Sequence, residues 1–535
     1  MKKILSVLLL ITILLSSFPV AVLAAEKTCD CPNAPIIYIR GRRELVVNKD
    51  LPEGAEGNYN LPRTDNIDVM SLVKQIVPRY CLDYLKNDFS KFTQLVCDIL
   101  DEFYGDYCLN NNGEITNNSG LPSKVRWRDI NWGDRHKPGS AVTTPEQATK
   151  EITKYNYNYD CRLDPLETAD DLKAFVDRIK QITGHSKVRF LSRCEGNVIL
   201  MAYFSKYGWE DADNVILYNS VARGTAVGDS LFSGYLSLDA QGTDYCATQT
   251  LDDTLLYEVI KDVVDYLKAT YQLDLLFDYY NMTLPRVGRE VLPEALLHCY
   301  GTTPGYWAMI SADRYEAARD LVFAGRKQQY AGLLAKTDRY HEQVGCRIDE
   351  MLQQMKEDGV PVSIIAKYGL QLYPVTEEND RQSDAVVTVA QQAPGTTTAP
   401  IAKTFDRQYL EEQERLGNSA YISVDKCVNA ATCLFPDTTW YIKEIAHTCY
   451  PPAVDELIYR IFAANGTMTV FNDEQFPQFL QYDEAGCAKD NGVLRPLSEE
   501  GTYKTIRKQS VFAVLRNLFT HLFRLIKDWI SSKGN

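Results

Sequence analysis

Apolar positions along this chain fall into runs of two kinds. Pro35-Ile36-Ile37-Tyr38-Ile39 is a short continuous apolar stretch ending at Gly41, which predicts a buried strand. From Asn66 to about Tyr107 the residues Leu72, Ile76, Leu82, Leu85, Phe92, Leu95 and Ile99 recur at helical spacing, with a break predicted at Pro78. Asn110 to Pro145 is rich in Asn, Gly, Ser, Thr and Pro, the composition of an irregular surface insertion. Tyr155 to Cys161 reads as the next strand, closed by Asp164-Pro165. A helix is expected to open at Thr168 and run to about Ile182. Ala169, Leu172, Phe175, Val176 and Ile179 form its apolar face, and Gly184 ends it. Val188–Leu191 then predicts a strand, Gly196 to about Tyr207 a helix, and Val215–Tyr218 another strand. Strand, helix, strand, helix in this rhythm implies βαβ units and a mostly parallel sheet, the α/β class.

The pattern changes after that. From about Leu231 to Asp358 no clear strand is visible, and helical segments such as Leu255–Leu273 and Asp313–Val322 dominate. This predicts a helical cap, at about 228–358, inserted between two strands of the sheet. Strand character returns at Pro361–Ala366 and at Thr439–Ile445, with a Thr/Pro/Gly/Gln-rich loop expected at Gln391–Ala402. Near the end, Phe512, Leu515, Leu518, Phe519, Leu522, Phe523, Ile526 and Ile530 share one broad helical face, off whose centre lie Arg516, Arg524 and Lys527. Such an amphipathic helix (506–535) is too broken by charge to span a bilayer, and it fits a membrane interface and docking on its own domain equally well. At the other end, Met1-Lys2-Lys3, an apolar run to about Val22 and the small residues before Ala25 read as a secretory signal peptide, 1–24. The expectation is a secreted or cell-surface protein whose main domain is 25–505, with no cysteine placed for a lipoprotein anchor.

Composition narrows the partners. A formal charge of -14 and no Lys/Arg cluster in the body argue against nucleic acid. Export permits disulfides among the 14 cysteines, although their connectivity does not follow from the sequence. No His/Cys/Asp group has zinc spacing; Cys29-x-Cys31 is tight and isolated, so no metal is expected. No glycine loop for phosphate is present, and no cofactor is expected.

One constellation carries chemistry. Val188–Leu191 as strand, Ser192-Arg193-Cys194-Glu195-Gly196 as turn and Asn197 onward as helix have the form of a nucleophile elbow. There, small residues flank the nucleophile because the backbone approaches closely on both sides. Together with Tyr157-Asn-Tyr-Asp-Cys-Arg-Leu-Asp-Pro165 before it and Asn219-Ser-Val-Ala-Arg-Gly-Thr225 after it, the elbow resembles the α/β-hydrolase superfamily. The likeness is to lecithin–cholesterol acyltransferase and related bacterial lipases, over roughly Pro35 to Cys449. The chain departs from that pattern with Cys194 in place of serine, Arg193 in place of a frequent histidine, and Cys161 where tryptophan is common.

The resemblance implies the remaining parts. A cysteine at a helix N-terminus is activated as thiolate, from a free value near ~8.5. The acid of that family sits in an Asp-Gly-x-Val turn, matched by Asp384-Ala-Val-Val387 except for the glycine; Asp425 is the reserve. Chain order places the base last. His447 follows the strand Thr439–Ile445, whereas His521 falls within the terminal helix. Backbone N–H groups of Glu195 and of Arg42, in the loop after the first strand, are expected to hold the oxyanion. Two functions are compatible with these residues. One is an exported hydrolase or acyltransferase acting on a small-molecule or lipid ester or thioester through Cys194, His447 and Asp384. The other is a catalytically inactive surface or binding protein that keeps the fold.

Overall fold

Eight strands form one sheet, and most of them are buried on both faces, as expected of parallel strands covered by helices. In chain order they are β1 (Ile36–Ile39), β2 (Lys154–Tyr157), β3 (Val188–Arg193), β4 (Ala212–Tyr218), β5 (Val362–Tyr368), β6 (Thr439–Lys443), β7 (Phe479–Tyr482) and β8 (Leu494–Pro496). The structure is a computed structural model. It describes residues 28–498, apart from 53, 65–66, 134, 136–143, 239–261, 268, 374–375, 378–379, 402 and 483–491, together with 516 and 520. Across the sheet the order is β8-β7-β6-β5-β4-β3-β1-β2. All neighbours are parallel except β7 and β8.

The two-residue period of a strand divides the core into two layers. Phe190, Leu217, Ile364 and Ala366 face one side, where they meet α2 (Pro165–Thr183), α3 (Gly196–Tyr207) and α4 (Ile348–Glu357) through Leu172, Phe175, Val198, Met351 and Met355. Leu191, Ile216, Ile365, Trp440 and Ile442 face the other, against α1 (Pro145–Glu151) and α5 (Ala453–Ala463), which contribute Ala148, Val454, Leu457, Ile458 and Phe462. Each such side chain, fully buried, contributes about 1.5–3 kcal/mol. Between β4 and β5 the described residues contain helices and no strand, with a core of their own around Phe232, Leu296, Trp307, Tyr315, Phe323 and Leu333.

Several elements differ from their sequence reading. The helix expected over 66–107 is two helices, Val69–Lys86 and Ser90–Tyr104, divided at Asn87 and not at Pro78. Asn87 adopts φ 55° and its N–H reaches the carbonyls of Asp83 and Tyr84, a left-handed cap that ends the helix. Pro78 lies on an exposed face, where water can serve the carbonyl it leaves without a partner. Helix α2 begins at Pro165, three residues before Thr168. Proline has the φ of a first helical residue, and the Asp164 carboxylate accepts the Leu166 N–H. β5 runs on through Lys367 and Tyr368, and the helix Val389–Gln392 takes in the first two residues of the loop expected at Gln391–Ala402. β7 and β8 are too short for a period to reveal. The signal segment lies outside the described residues, and of 506–535 only 516 and 520 are described. The helix read at Leu255–Leu273 is described only in part, from 262 on. Among the described residues no helix is long and apolar enough to cross a membrane.

Candidate active site

The carboxyl ends of β3, β5 and β6 converge on Cys194. β3 ends at Arg193 and α3 starts at Gly196, so two residues turn the chain back. Cys194 pivots that turn with φ 52°, a conformation that costs a non-glycine residue about 1–2 kcal/mol. The small neighbours are forced: a Cβ on Gly196 would stand 2.4 Å from the Ile39 carbonyl oxygen. A Cβ on Gly41 would stand 3.1 Å from Cys194 Cβ, so the loop after β1 lies directly against the nucleophile position. The buried Ser192 hydroxyl donates to Asn197 Oδ1 at 2.6 Å, and Asn197 Nδ2 donates to the Cys194 carbonyl at 3.0 Å, which braces the turn from inside.

Two further side chains complete the arrangement. His447 Nε2 lies 2.9 Å from Cys194 Sγ, and His447 Nδ1 lies 2.7 Å from Asp384 Oδ2. Asp384 is fully buried. Its Oδ1 accepts the Val386 and Val387 N–H groups at 3.1 and 2.8 Å, so the turn holds the carboxylate and leaves the other oxygen for the imidazole. Ala385 has φ 80°, which explains why the resembled pattern has glycine there; alanine bears the strain in this chain. Cys194 is half-buried, whereas His447 is buried.

The histidine loop after β6 is fixed by its own carbonyl groups. Lys367, wholly buried on β5, donates from Nζ to the carbonyls of Ala446, His447 and Cys449 at 2.9, 3.2 and 2.6 Å, the full donor complement of an ammonium. Arg193 Nη2 donates to the Thr448 carbonyl at 2.8 Å, and Asn219 Nδ2 to the His447 carbonyl at 2.9 Å. Three strands thus hold one loop. Sequence reading places Arg193 and Asn219 in the resembled segments without this role and omits Lys367, although a lysine inside the apolar run Val362–Tyr368 is a visible signal. Lys367→Met keeps the apolar stem and removes the donors. It is expected to reduce any turnover at Cys194 by about 10–100-fold through displacement of His447. It is also expected to move the pH profile of Cys194 alkylation toward that of an ordinary thiol, a readout that simple loss of stability would not change.

The electrostatics are those of an ion pair. Burial opposes charge on His447, but the Asp384 carboxylate and the Cys194 thiolate outweigh it and raise His447 to about 10. Burial likewise raises the Cys194 thiol, and the imidazolium outweighs that, leaving the thiol below its ordinary value. Thiolate and imidazolium titrate as one unit. Burial lowers Lys367 to about 7 against the pull of Asp384.

Glu195 works the other way. It is buried beside Cys194, and burial raises it to about 7 despite Arg42, whose Nε lies 3.5 Å from Glu195 Oε2. Its charge raises the Cys194 thiol, while its backbone N–H stabilises the thiolate. Glu195→Gln is therefore expected to shift the acid limb of Cys194 alkylation to lower pH. The two curves should converge below about pH 7, where the native carboxyl is itself protonated; superposable curves at all pH values would refute that effect. Arg42 also lies over the Tyr306 ring at 4.5 Å, and Tyr306 stacks on Tyr300 at 3.9 Å.

Other expected residues lie elsewhere. Asp425, the reserve acid, is buried among Ser423 Oγ at 2.6 Å, Lys443 Nζ at 3.0 Å and Tyr368 OH at 3.1 Å, and makes no contact with His447. His298 pairs with Asp101, and His341 stacks on Tyr315. His136 and His521 lie outside the described residues. A cavity of about 560 Å³ lies between the helical insertion and the sheet end, lined by Arg223, Asp229, Ile310, Ser311, Asp349 and Gln391 but not by Cys194 or His447. Its lining mixes charged, polar and apolar side chains. Comparison of the chain with models of known protein families gave no match, and comparison with curated protein sequences gave none.

Proposed function

We propose that the chain is an exported enzyme of the α/β-hydrolase fold that cleaves or transfers the acyl group of an ester or thioester. The observation that carries this reading is the Cys194–His447–Asp384 relay, with contacts of 2.9 and 2.7 Å and Cys194 at a strained turn into a helix. The placement of nucleophile, acid and base after β3, β5 and β6 also supports it. The Cys194 thiolate attacks the carbonyl carbon, a C–S bond forms, and the carbonyl electrons move to oxygen. Backbone N–H groups of Glu195 and Arg42 receive that charge. The intermediate collapses, the leaving group takes the proton from His447 Nε2, and an acyl-thioester remains. Water or an acceptor alcohol then attacks with His447 as base, and the thiolate departs. Asp384 holds the imidazole in orientation throughout. Against an inactive surface protein stands the state of Cys194, an unbridged thiol facing His447.

Quenching the protein during reaction with p-nitrophenyl butyrate and weighing it intact tests the proposal. One butyryl group mapped to Cys194 is expected. Release of p-nitrophenol with the acyl group on another residue would overturn it.

A further inference from the structure

Cys29 and Cys31 acquire a partner that spacing alone does not reveal. They precede β1, and His185 lies between α2 and β3, 154 positions beyond Cys31, yet Cys31 Sγ is 3.4 Å from His185 Nε2. The ligand atoms of all three lie within 4.8 Å of one another. Zinc bound at about 2.3 Å to sulfur and about 2.0–2.1 Å to nitrogen, in a tetrahedron, places its ligand atoms about 3.5–3.8 Å apart. The 3.4 Å contact already has that spacing, and the other pairs lie within about 1 Å of it.

We infer that Cys29, Cys31 and His185 form a zinc site. The cysteines sit at i and i+2, which puts both on one side of an extended segment. They are half-exposed while His185 is buried, so the fourth position faces solvent. The segment is placed without the metal: Cys29 N–H donates to the Gly184 carbonyl at 2.9 Å, and the buried Arg189 donates from Nη2 to the Pro32 carbonyl at 3.0 Å. The carboxyl end of α2, capped at Gly184, points its negative dipole end toward the site, and the exposed Asp30 separates the two cysteines in the chain. On binding, both thiols lose their protons, two S–Zn bonds and one N–Zn bond form, and the two thiolates neutralise the cation. The site occupies the amino ends of β1 and β3, whereas Cys194 follows the carboxyl end of β3. Six strand residues separate them by roughly 20 Å. The metal would tie the amino-terminal segment to the sheet and take no part in acyl chemistry.

The test is zinc content after expression in zinc-supplemented medium and dialysis against a weak chelator. About one equivalent per chain is expected, falling below about a tenth in Cys31→Ser and in His185→Ala, as befits a site reduced to two ligands. Cys194 alkylation at pH 7 should stay within about twofold of the parent in both variants, which separates loss of the site from loss of the fold. Zinc should also slow maleimide labelling of Cys29 and Cys31. Zinc content equal in parent and variants, or labelling indifferent to zinc, would overturn the inference. So would a disulfide between Cys29 and Cys31 in a non-reduced digest.

Discussion

Cys194→Ala is expected to lower kcat/KM for a short p-nitrophenyl ester by about 10,000-fold or more, since removal of a covalent nucleophile leaves only binding and oxyanion stabilisation. The methyl side chain fits the space of the thiol, and alanine meets the same φ 52° as cysteine, so the fold should persist. Far-ultraviolet circular dichroism and the melting temperature should therefore change little while initial rates collapse. Equal rates in the two proteins would assign the activity to another residue.

Asp384→Asn carries the second largest effect. In the native site both backbone N–H groups of the turn bind Oδ1, and Oδ2 receives the His447 Nδ1 proton. An asparagine whose oxygen keeps the two backbone bonds turns its NH₂ toward His447. The imidazole must then accept at Nδ1 and carry its proton on Nε2, the wrong tautomer for a base facing Cys194. A loss of about 1,000–10,000-fold in kcat/KM is expected. The pH profile should change with it. The carboxylate is the largest of the causes that raise His447 to about 10, so its removal lowers the imidazolium pKa. The thiolate–imidazolium form survives to a lower pH only, and the basic limb of kcat/KM moves down. A basic limb that stays near pH 10 in the variant would show that Asp384 does not govern His447.

Most of the sheet and the turn at Cys194 are legible in the chain because their determinants are local. Val188–Leu191 is apolar, Gly196 admits no side chain, and Asn197 onward is helical, so strand, turn and helix follow from consecutive residues. Asp384 and His447 are legible only through the resemblance, which supplies the chain order and the four-residue turn. His447 stands 253 positions from Cys194 and 63 from Asp384 in the chain, separations that no local pattern encodes. What escaped was long-range and polar. Lys367 has the sequence context of a strand residue, and only the approach of the 446–449 carbonyls makes its charge tolerable. Nothing near His185 in the chain points to Cys29 and Cys31. Helix limits moved for local reasons that were present but underweighted: proline at the first turn of α2, and the left-handed propensity of Asn87.

The central claim, a thiolate at Cys194 held by His447, is tested most directly without any substrate. The rate of iodoacetamide alkylation at Cys194 is followed across pH 4–11 by peptide mass spectrometry, in the native protein and in His447→Ala. An ion pair predicts alkylation in the native protein that persists well below the ordinary thiol value near ~8.5. In the variant, which keeps the burial and loses the imidazolium, the inflection should lie at or above that value. Identical profiles with an inflection near ~8.5 or above in both proteins would contradict the pair, and with it the proposed chemistry.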